Sequence, residues 1–411
     1  MIKLLHTADI HLDSPLRALA LRDEGLRARV QIATRIALTR IVDAALSEAV
    51  TALLIAGDLF DGAERSAKTA AFLTAQMDRL RTAGIAVFYI KGNHDAENPI
   101  TGQVDLPGNV HVFDGRGGKV QIEGTQVWVH GVSFSGRHAP ESLLPKFAAP
   151  VPGAVNIAML HTSLAGAQGH DTYAPCAVSD LAAMGFDYWA LGHIHKRQVH
   201  SAAPWIVMPG IPQGRDIGEA GPKSATLIEI GEHRIDTREV PTSSVEFVEH
   251  TLDISGLDED AIRTDLRAAM RDLAGAIASD TGLVRLTLTG HSLRKWQILR
   301  DQDMWTETAQ AAALETGTLW LEKTRFDLQD DAASSSSGTA VDELDGMITA
   351  IRQEPAMQAE LATRLEAILA ELPAQRRAAL TPDEDSAKAL AQDLAERGTA
   401  RVLAAMKGAA E

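Results

Sequence analysis

At 411 residues, with 45% hydrophobic residues and 16 prolines, the chain is too long for one ordinary domain and has the composition of a soluble globular protein with a substantial core. A formal net charge of −16 argues against binding nucleic acid through a global basic field, but not against a nuclease that gathers cations at its site. The single cysteine, Cys176, excludes an internal disulfide framework and a thiolate zinc site and suits a reducing cytoplasm, the expected location. Apolar runs such as Ala52 to Ala56 fall far short of the ~20 residues that cross a bilayer. The start, Met1 to His6, lacks the pattern of a secretory signal, so neither membrane nor export is expected.

In chain order, Ile2 to Leu5 reads as a buried strand with Asp9 and His11 just beyond it. A helical pattern from about Arg22 to Glu48 leads to strand Leu53-Leu54-Ile55, which ends at Gly57-Asp58. A second helix, about Ser66 to Thr82, precedes the apolar run Ala86 to Ile90 and then Gly92-Asn93-His94-Asp95. This strand–helix alternation predicts right-handed crossovers and a mainly parallel sheet. Short strands follow at Val110 to Phe113, Val127 to Val129 and Val155 to Leu160, the last ending at His161. The glycine cluster from Gly115 to Gly118 reads as a hairpin or loop, since no helix follows to cradle a nucleotide. A helix near Val178 leads to Tyr188 to Leu191 and Gly192-His193-Ile194-His195, and closing strands are expected to Val240.

The pattern predicts a catalytic domain over 1–245 and a small α+β capping domain over 246–330. A Ser-rich linker over 331–340 and a helical C-terminal segment over 341–411 complete the chain, the latter in the place where the resemblance described below implies docking of a partner.

Five clusters share one design: a short apolar run, a small residue, then a side chain able to bind metal. They supply three oxygen ligands (Asp9, Asp58, Asn93) and four imidazoles (His11, His161, His193, His195). Taken singly, Gly-Asp is a turn and a lone histidine is a core or surface residue. Together, seven mixed ligands are too many for one ion and suit two ions sharing a bridging carboxylate, with Asp58 best placed to bridge. In α/β sheets such ligands converge outside the carboxyl ends of strands. Asp9 and His11, and likewise His193 and His195, are two apart and would share one side of an extended segment.

His94 has no ligand duty and is expected to protonate the leaving oxygen or hydrogen-bond a phosphate oxygen, its ring oriented by Asp95. The nucleophile would be a water or hydroxide held between the ions. Asp13, Asp61, Tyr173, His170 and Asp171 are further candidates at the border of the site. Gln213, Gly214 and Arg215 form either a phosphate contact or a structural turn. His6, His130 and His200 read as core or surface residues.

On these residues the chain resembles the calcineurin-like metallophosphoesterases, whose pattern is Asp-x-His, Gly-Asp, Gly-Asn-His-Asp, a lone His and Gly-His-x-His, over residues 1 to about 240. Ala8 to Leu12, Gly57 to Asp61, Pro209-Gly210 with Gln213, Leu12 to Pro15 and Gly169 to Asp171 are similar to the DNA-repair exonuclease branch of SbcD and YhaO-type nuclease subunits. The resemblance implies a metallophosphoesterase-type layered α/β sandwich. It places one ion on Asp9, His11, Asp58 and His195, and the other on Asp58, Asn93, His161 and His193. It further implies two divalent ions, most often Mn(II), a DNA substrate, a homodimer and a coiled-coil ATPase of the SbcC type as partner. Asp61 departs from the pattern, standing where several relatives carry a second histidine. Three readings follow: a DNA exonuclease or endonuclease within a repair complex, a small-molecule (cyclic nucleotide) phosphodiesterase, and a mainly non-catalytic adaptor for an ATPase.

Overall fold

The computed structural model describes residues 1–14, 16, 24–61, 66–97, 106–164, 173–232, 234–329, 340–372, 377, 380–381 and 383–410. His170, Asp171 and nearly all of the Ser-rich linker lie outside the described residues. Two compact units divide the chain. One comprises Met1–Glu249, Ala274–Val284 and Thr318–Glu322; the other comprises His250–Leu273, Arg285–Gly317 and Lys323–Glu411.

In the first unit the strands are β1 (Ile2–Thr7), β2 (Ala52–Ala56), β3 (Ala86–Ile90), β4 (Val110–Val112), β5 (Gly118–Gln121), β6 (Val127–Gly131), β7 (Val155–His161), β8 (Tyr188–Gly192), β9 (Gln198–Ala202), β10 (Trp205–Met208), β11 (Ser224–Ile230) and β12 (Ile235–Pro241). They form two six-stranded sheets, ordered β12-β11-β1-β2-β3-β4 and β5-β6-β7-β8-β10-β9. The runs β1 to β4 and β6-β7-β8-β10 are parallel, and antiparallel pairings extend them, through β11 and then β12 beyond β1, β5 beyond β6 and β9 beyond β10. The expectation of one mainly parallel sheet is thus met twice over, by two mixed sheets face to face.

Burial explains the layering. Every residue of β2 is buried because both of its faces are covered. Leu53 and Ile55 pack with Leu38, Ile41, Leu73 and Met77 of the helices Ala33–Ser47 and Ala67–Thr82. Leu54 and Ala56 face Val129, Ile157 and Ala190 of the other sheet. The far face of that second sheet packs Trp189, Leu160 and Ile206 against Leu181 of the helix Val178–Ala183. The result is a helix–sheet–sheet–helix sandwich.

Three details differ from the sequence reading. The long helix expected from Arg22 is two helices within the described residues, Glu24–Gln31 and Ala33–Ser47, broken at Ile32. The edge strand β9 has no apolar run to announce it, because its residues are largely exposed. The helix Lys295–Arg300 is a short addition to the expected pattern.

Beyond β12, strands Val245–Asp253, Thr281–His291 and Leu319–Gln329 form a three-stranded sheet with Thr281–His291 central. Helices Glu259–Ala276 and Gln302–Leu314 alternate with them, as expected from the pattern. In the second unit, helices Ala340–Gln353, Pro355–Ala370 and Glu384–Ala410 follow. Leu365 and Leu369 pack with Ala391, and the last helix packs along Lys295–Arg300, burying Leu403 and Ala404.

Candidate metal centre

All seven expected ligands lie at carboxyl ends of central strands of the first unit. Asp9 and His11 follow β1, Asp58 follows β2 and Asn93 follows β3, while His161 ends β7 and His193 and His195 follow β8. Two sheets therefore contribute. The local reason is not the extended geometry expected from the two-residue spacing. Asp9, His11, Asp58 and His193 have φ of 52°, 43°, 50° and 103°. Four ligands in the left-handed region, where side chains other than glycine are disfavoured, mark a backbone held in place by its surroundings. The hydrogen bonds Asp9 N–H to Gly57 O (2.9 Å), His11 N–H to Asp58 O (3.0 Å) and Leu12 N–H to Leu59 O (3.0 Å) supply part of that hold.

The side chains converge in overlapping sets. Asp9, His11 and His195 bring ligand atoms within 4.8 Å of one another, as do Asp58, His161 and His193, and a further set of His11, Asp58 and His94 brings the rim histidine within the same reach. Asp58 lies between the first two: its Oδ2 is 3.9 Å from His11 Nε2 and 3.4 Å from His161 Nε2, while its Oδ1 accepts the His94 backbone N–H at 3.0 Å. Asp9 accepts the His193 N–H on both oxygens, at 3.1 and 3.0 Å. Asn93 Oδ1 is 3.1 Å from His161 Nε2.

The donor chemistry fits cations. His161 Nδ1 donates to the Ala56 carbonyl at 3.0 Å, so in the neutral ring Nε2 carries a lone pair aimed at two further acceptors, Asn93 Oδ1 and Asp58 Oδ2. His11 Nε2 and His195 Nε2 face each other at 3.2 Å. Glu219 Oε1, 2.6 Å from His195 Nδ1, keeps the proton on that nitrogen and the Nε2 lone pair toward the centre. Lone pairs crowded in this way repel unless a positive charge sits among them. A proton can serve at one position: burial alone would lower the His161 pKa, but Asp58 and Asp9 lift it to about 9. Divalent ions would serve at all of them, held by Asp9, His11, Asp58 and His195 on one side and Asp58, Asn93, His161 and His193 on the other.

His94 sits at the rim, with its side chain 36% exposed, on the wall of a cavity of about 690 Å³ that also touches Asp58, Asn93, Tyr173, His193 and His195. Asp95 does not take the expected place beside its ring. The Asp95 carboxylate is fully buried and accepts Phe60 N–H and Gly92 N–H, each at 3.0 Å, so it braces the loops after β2 and β3. Burial lifts its pKa to about 6, with the charge of Asp58 adding to the effect. The carboxylate near the His94 ring is that of Asp61, with Oδ1 3.5 Å from His94 Nδ1.

The other candidates separate by contact. Asp13 turns away to Arg35, which donates at 2.6 and 2.7 Å, and to Thr69; it fastens two helices. Gln213 is a structural turn residue: its buried amide donates to Gly214 O and Val245 O and accepts Ser244 N–H and Val245 N–H. Arg215 reaches the centre, with Nη2 3.2 Å from His195 Nδ1. Tyr173 lines the cavity, its ring 5.0 Å from that of His193. His6 is core: it donates to Leu191 O and accepts from the Tyr188 hydroxyl, tying the two sheets together beneath the site. Glu219 was not foreseen; only its pairing with His195, 24 residues away, sets it apart from other loop carboxylates.

Comparison with known proteins agrees with this geometry. The calcineurin-like phosphoesterase family matches residues 2–197, and the middle domain of the metallophosphoesterase YhaO matches residues 247–329. An uncharacterized metallophosphoesterase, YhaO, of Bacillus subtilis is 40% identical over 231 residues, covering 55% of this chain and 57% of that one. The DNA double-strand break repair protein Mre11 of Methanopyrus kandleri is 23% identical over 235 residues, covering 52% and 49%. The chain thus spans about half the length of the curated relatives it matches. A crystal structure of a dimetal phosphatase from Danio rerio is 12% identical, covers 59% of this chain and 98% of its own, and has a TM-score of 0.38, too low to carry weight. The chain therefore carries a calcineurin-like metallophosphoesterase domain over residues 2–197, followed by a YhaO-type middle domain over residues 247–329.

Proposed function

We propose that the protein is a two-metal DNA phosphodiesterase, an exonuclease or endonuclease that serves as the catalytic subunit of a DNA repair complex. The observation that carries this reading is the pair of ligand sets with Asp58 between them. The distant likeness to proteins named for double-strand break repair supports DNA as the substrate. Manganese as the resident ion, a cytoplasmic location, a homodimer and an SbcC-type ATPase partner belong to the same proposal. So do the domain limits 1–245, 246–330, 331–340 and 341–411. No helix among the described residues is long and apolar enough to cross a membrane.

The chemistry that two divalent ions supply at such a centre is Lewis acidity toward phosphoryl oxygens and acidification of water. The chain's own residues do the rest. Asp58 carries its charge to the middle of the centre, where Oδ2 faces both histidine sets. The anchors on Ala56 O and Glu219 fix the lone pairs of His161 and His195 before substrate arrives, so no reorganisation is needed during reaction. His94, at the rim with its backbone N–H on Asp58 Oδ1, is the side chain that would hydrogen-bond a phosphate oxygen or protonate the departing oxygen.

The test is cleavage of linear duplex DNA by purified protein with Mn(II), set beside cyclic nucleotides. DNA shortening is expected, with His94→Ala losing roughly 10²–10⁴-fold in rate while retaining metal. Hydrolysis of cyclic nucleotides with no action on any DNA would overturn the assignment.

A further inference from the structure

Outside the seven ligands, three charged side chains form a second ring around one half of the centre. Glu219 Oε1 lies 2.6 Å from His195 Nδ1. Asp61 Oδ1 lies 3.4 Å from His11 Nδ1, off line for a hydrogen bond, and 3.5 Å from His94 Nδ1. Arg215 spans the two carboxylates: Nη2 is 3.3 Å from Glu219 Oε1, Nη1 is 3.9 Å from Asp61 Oδ1, and its backbone N–H donates to Glu219 Oε2 at 2.7 Å. Side-chain exposure is only 26% for Asp61, 18% for Arg215 and 15% for Glu219.

We propose that Asp61, Arg215 and Glu219 act as an outer clamp on the imidazoles of His11, His195 and His94, with Arg215 as its central positioning residue. This rests on the two-ion reading above. An imidazole ligand offers one nitrogen to an ion, and a carboxylate on the other fixes tautomer and ring orientation and raises basicity. Carboxylates this near a pair of cations also carry a hazard, because they are themselves good ligands and a small rotation would bring them inward. A guanidinium has five donors and no acceptor, so it cannot become a ligand; what it can do is hold acidic groups in place by a rigid fork. Arg215 hydrogen-bonds Glu219 and faces Asp61 at ion-pair distance, and so favours the place of each carboxylate outside the centre.

The two halves of the centre are held differently. His161 is anchored by a main-chain carbonyl, Ala56 O, whereas His11 and His195 are backed by ionised side chains. Removing the clamp should therefore weaken one ion and spare the other. A purely structural contact would not give that asymmetry.

The experiment is a calorimetric Mn(II) titration of the full chain and of Glu219→Ala, Glu219→Gln and Arg215→Ala, with melting temperatures taken in EDTA. Two binding steps are expected for the unaltered protein. In Glu219→Ala and Arg215→Ala one step should weaken by about 10–100-fold and the other stay put. Glu219→Gln, whose amide oxygen still accepts from His195, should keep most of the affinity, and melting in EDTA should change little. Two steps in the unaltered protein, with superimposable isotherms for both alanine variants, would overturn the clamp alone. Equal weakening of both steps together with a lowered EDTA melting temperature would also overturn it. Fewer than two ions on the unaltered protein would overturn the two-ion reading and the clamp with it.

Discussion

Replacing Gly92 by alanine adds one methyl group at a tight point of the centre, between Asp58 and His161. The new Cβ would lie 2.3 Å from Asp58 Oδ1 and 2.8 Å from His161 Cε1 and Nε2. Ordinary contact is at ~3.5 Å, so the carboxylate oxygen would have to retreat by roughly 1 Å and the imidazole by somewhat less. Neither can do so freely. Asp58 Oδ1 accepts the His94 N–H at 3.0 Å, and His161 Nδ1 donates to Ala56 O at 3.0 Å. Overpacking of this kind costs about 1–3 kcal/mol, which lowers the melting temperature by roughly 2–4 °C per kcal/mol in a domain of this size. The effect on chemistry should be larger, since a misplacement of ~1 Å at reacting groups costs ~10²-fold in rate. Hydrolysis of bis(4-nitrophenyl) phosphate with Mn(II), alongside metal content and melting in EDTA, reads these separately. Gly346→Ala is the control: its added Cβ meets nothing within 4 Å, so it should be neutral or slightly stabilising. A Gly92→Ala protein that kept two ions and turned over within about twofold of the unaltered chain would refute the close-approach reasoning.

Three further outcomes are expected from contacts near the centre. Asp95→Ala leaves two buried N–H groups, Phe60 and Gly92, without their acceptor and should cost about 1–3 kcal/mol for each; Asp95→Asn, which keeps one oxygen, should cost less, as denaturant midpoints would show. Gln213→Ala should lower stability by roughly 2–4 kcal/mol through loss of its buried amide contacts, whereas exposed Gln198→Ala should be close to neutral in the same melts. Asp13→Asn should cost about 1–2 kcal/mol near neutral pH through the weakened Arg35 fork, with its left-handed backbone (φ 64°) tolerated by asparagine. Burial raises the Asp13 pKa, but the bonds from Arg35 and Thr69 outweigh it and leave the folded value below the ~3.9 of an unfolded chain. The stabilisation is thus complete above that unfolded value and lost as pH falls through the folded one. The two proteins should therefore converge in melting temperature in acid, and a gap that persists or widens there would contradict the assignment.

The candidate ligands, which the structure brings together, stand out in the sequence because their chemistry is specific and their context is regular. Five apolar runs each end in a metal-capable side chain, and strand ends are where α/β sheets gather such groups. Their two-residue spacing does not reflect an extended alternation, because the loops leave the strands in left-handed conformations. Adjacency in sequence suggests Asp95 as the partner of the His94 ring, yet its carboxylate turns back to Phe60 and Gly92. Glu219 and the inward course of Arg215 were out of reach or left open for the opposite reason. Their partners are distant in the chain, and a polar loop of Gln, Gly, Arg, Asp and Glu looks the same whether it faces solvent or a metal centre. Strand β9 stayed hidden because an exposed edge strand has no apolar alternation to announce it.

The most direct test is anomalous diffraction from crystals of the chain soaked in Mn(II). Two peaks flanking Asp58 are predicted, one against Asp9, His11 and His195, the other against Asn93, His161 and His193. A single peak, or two peaks with Asp58 outside the space between them, would contradict a shared two-ion centre.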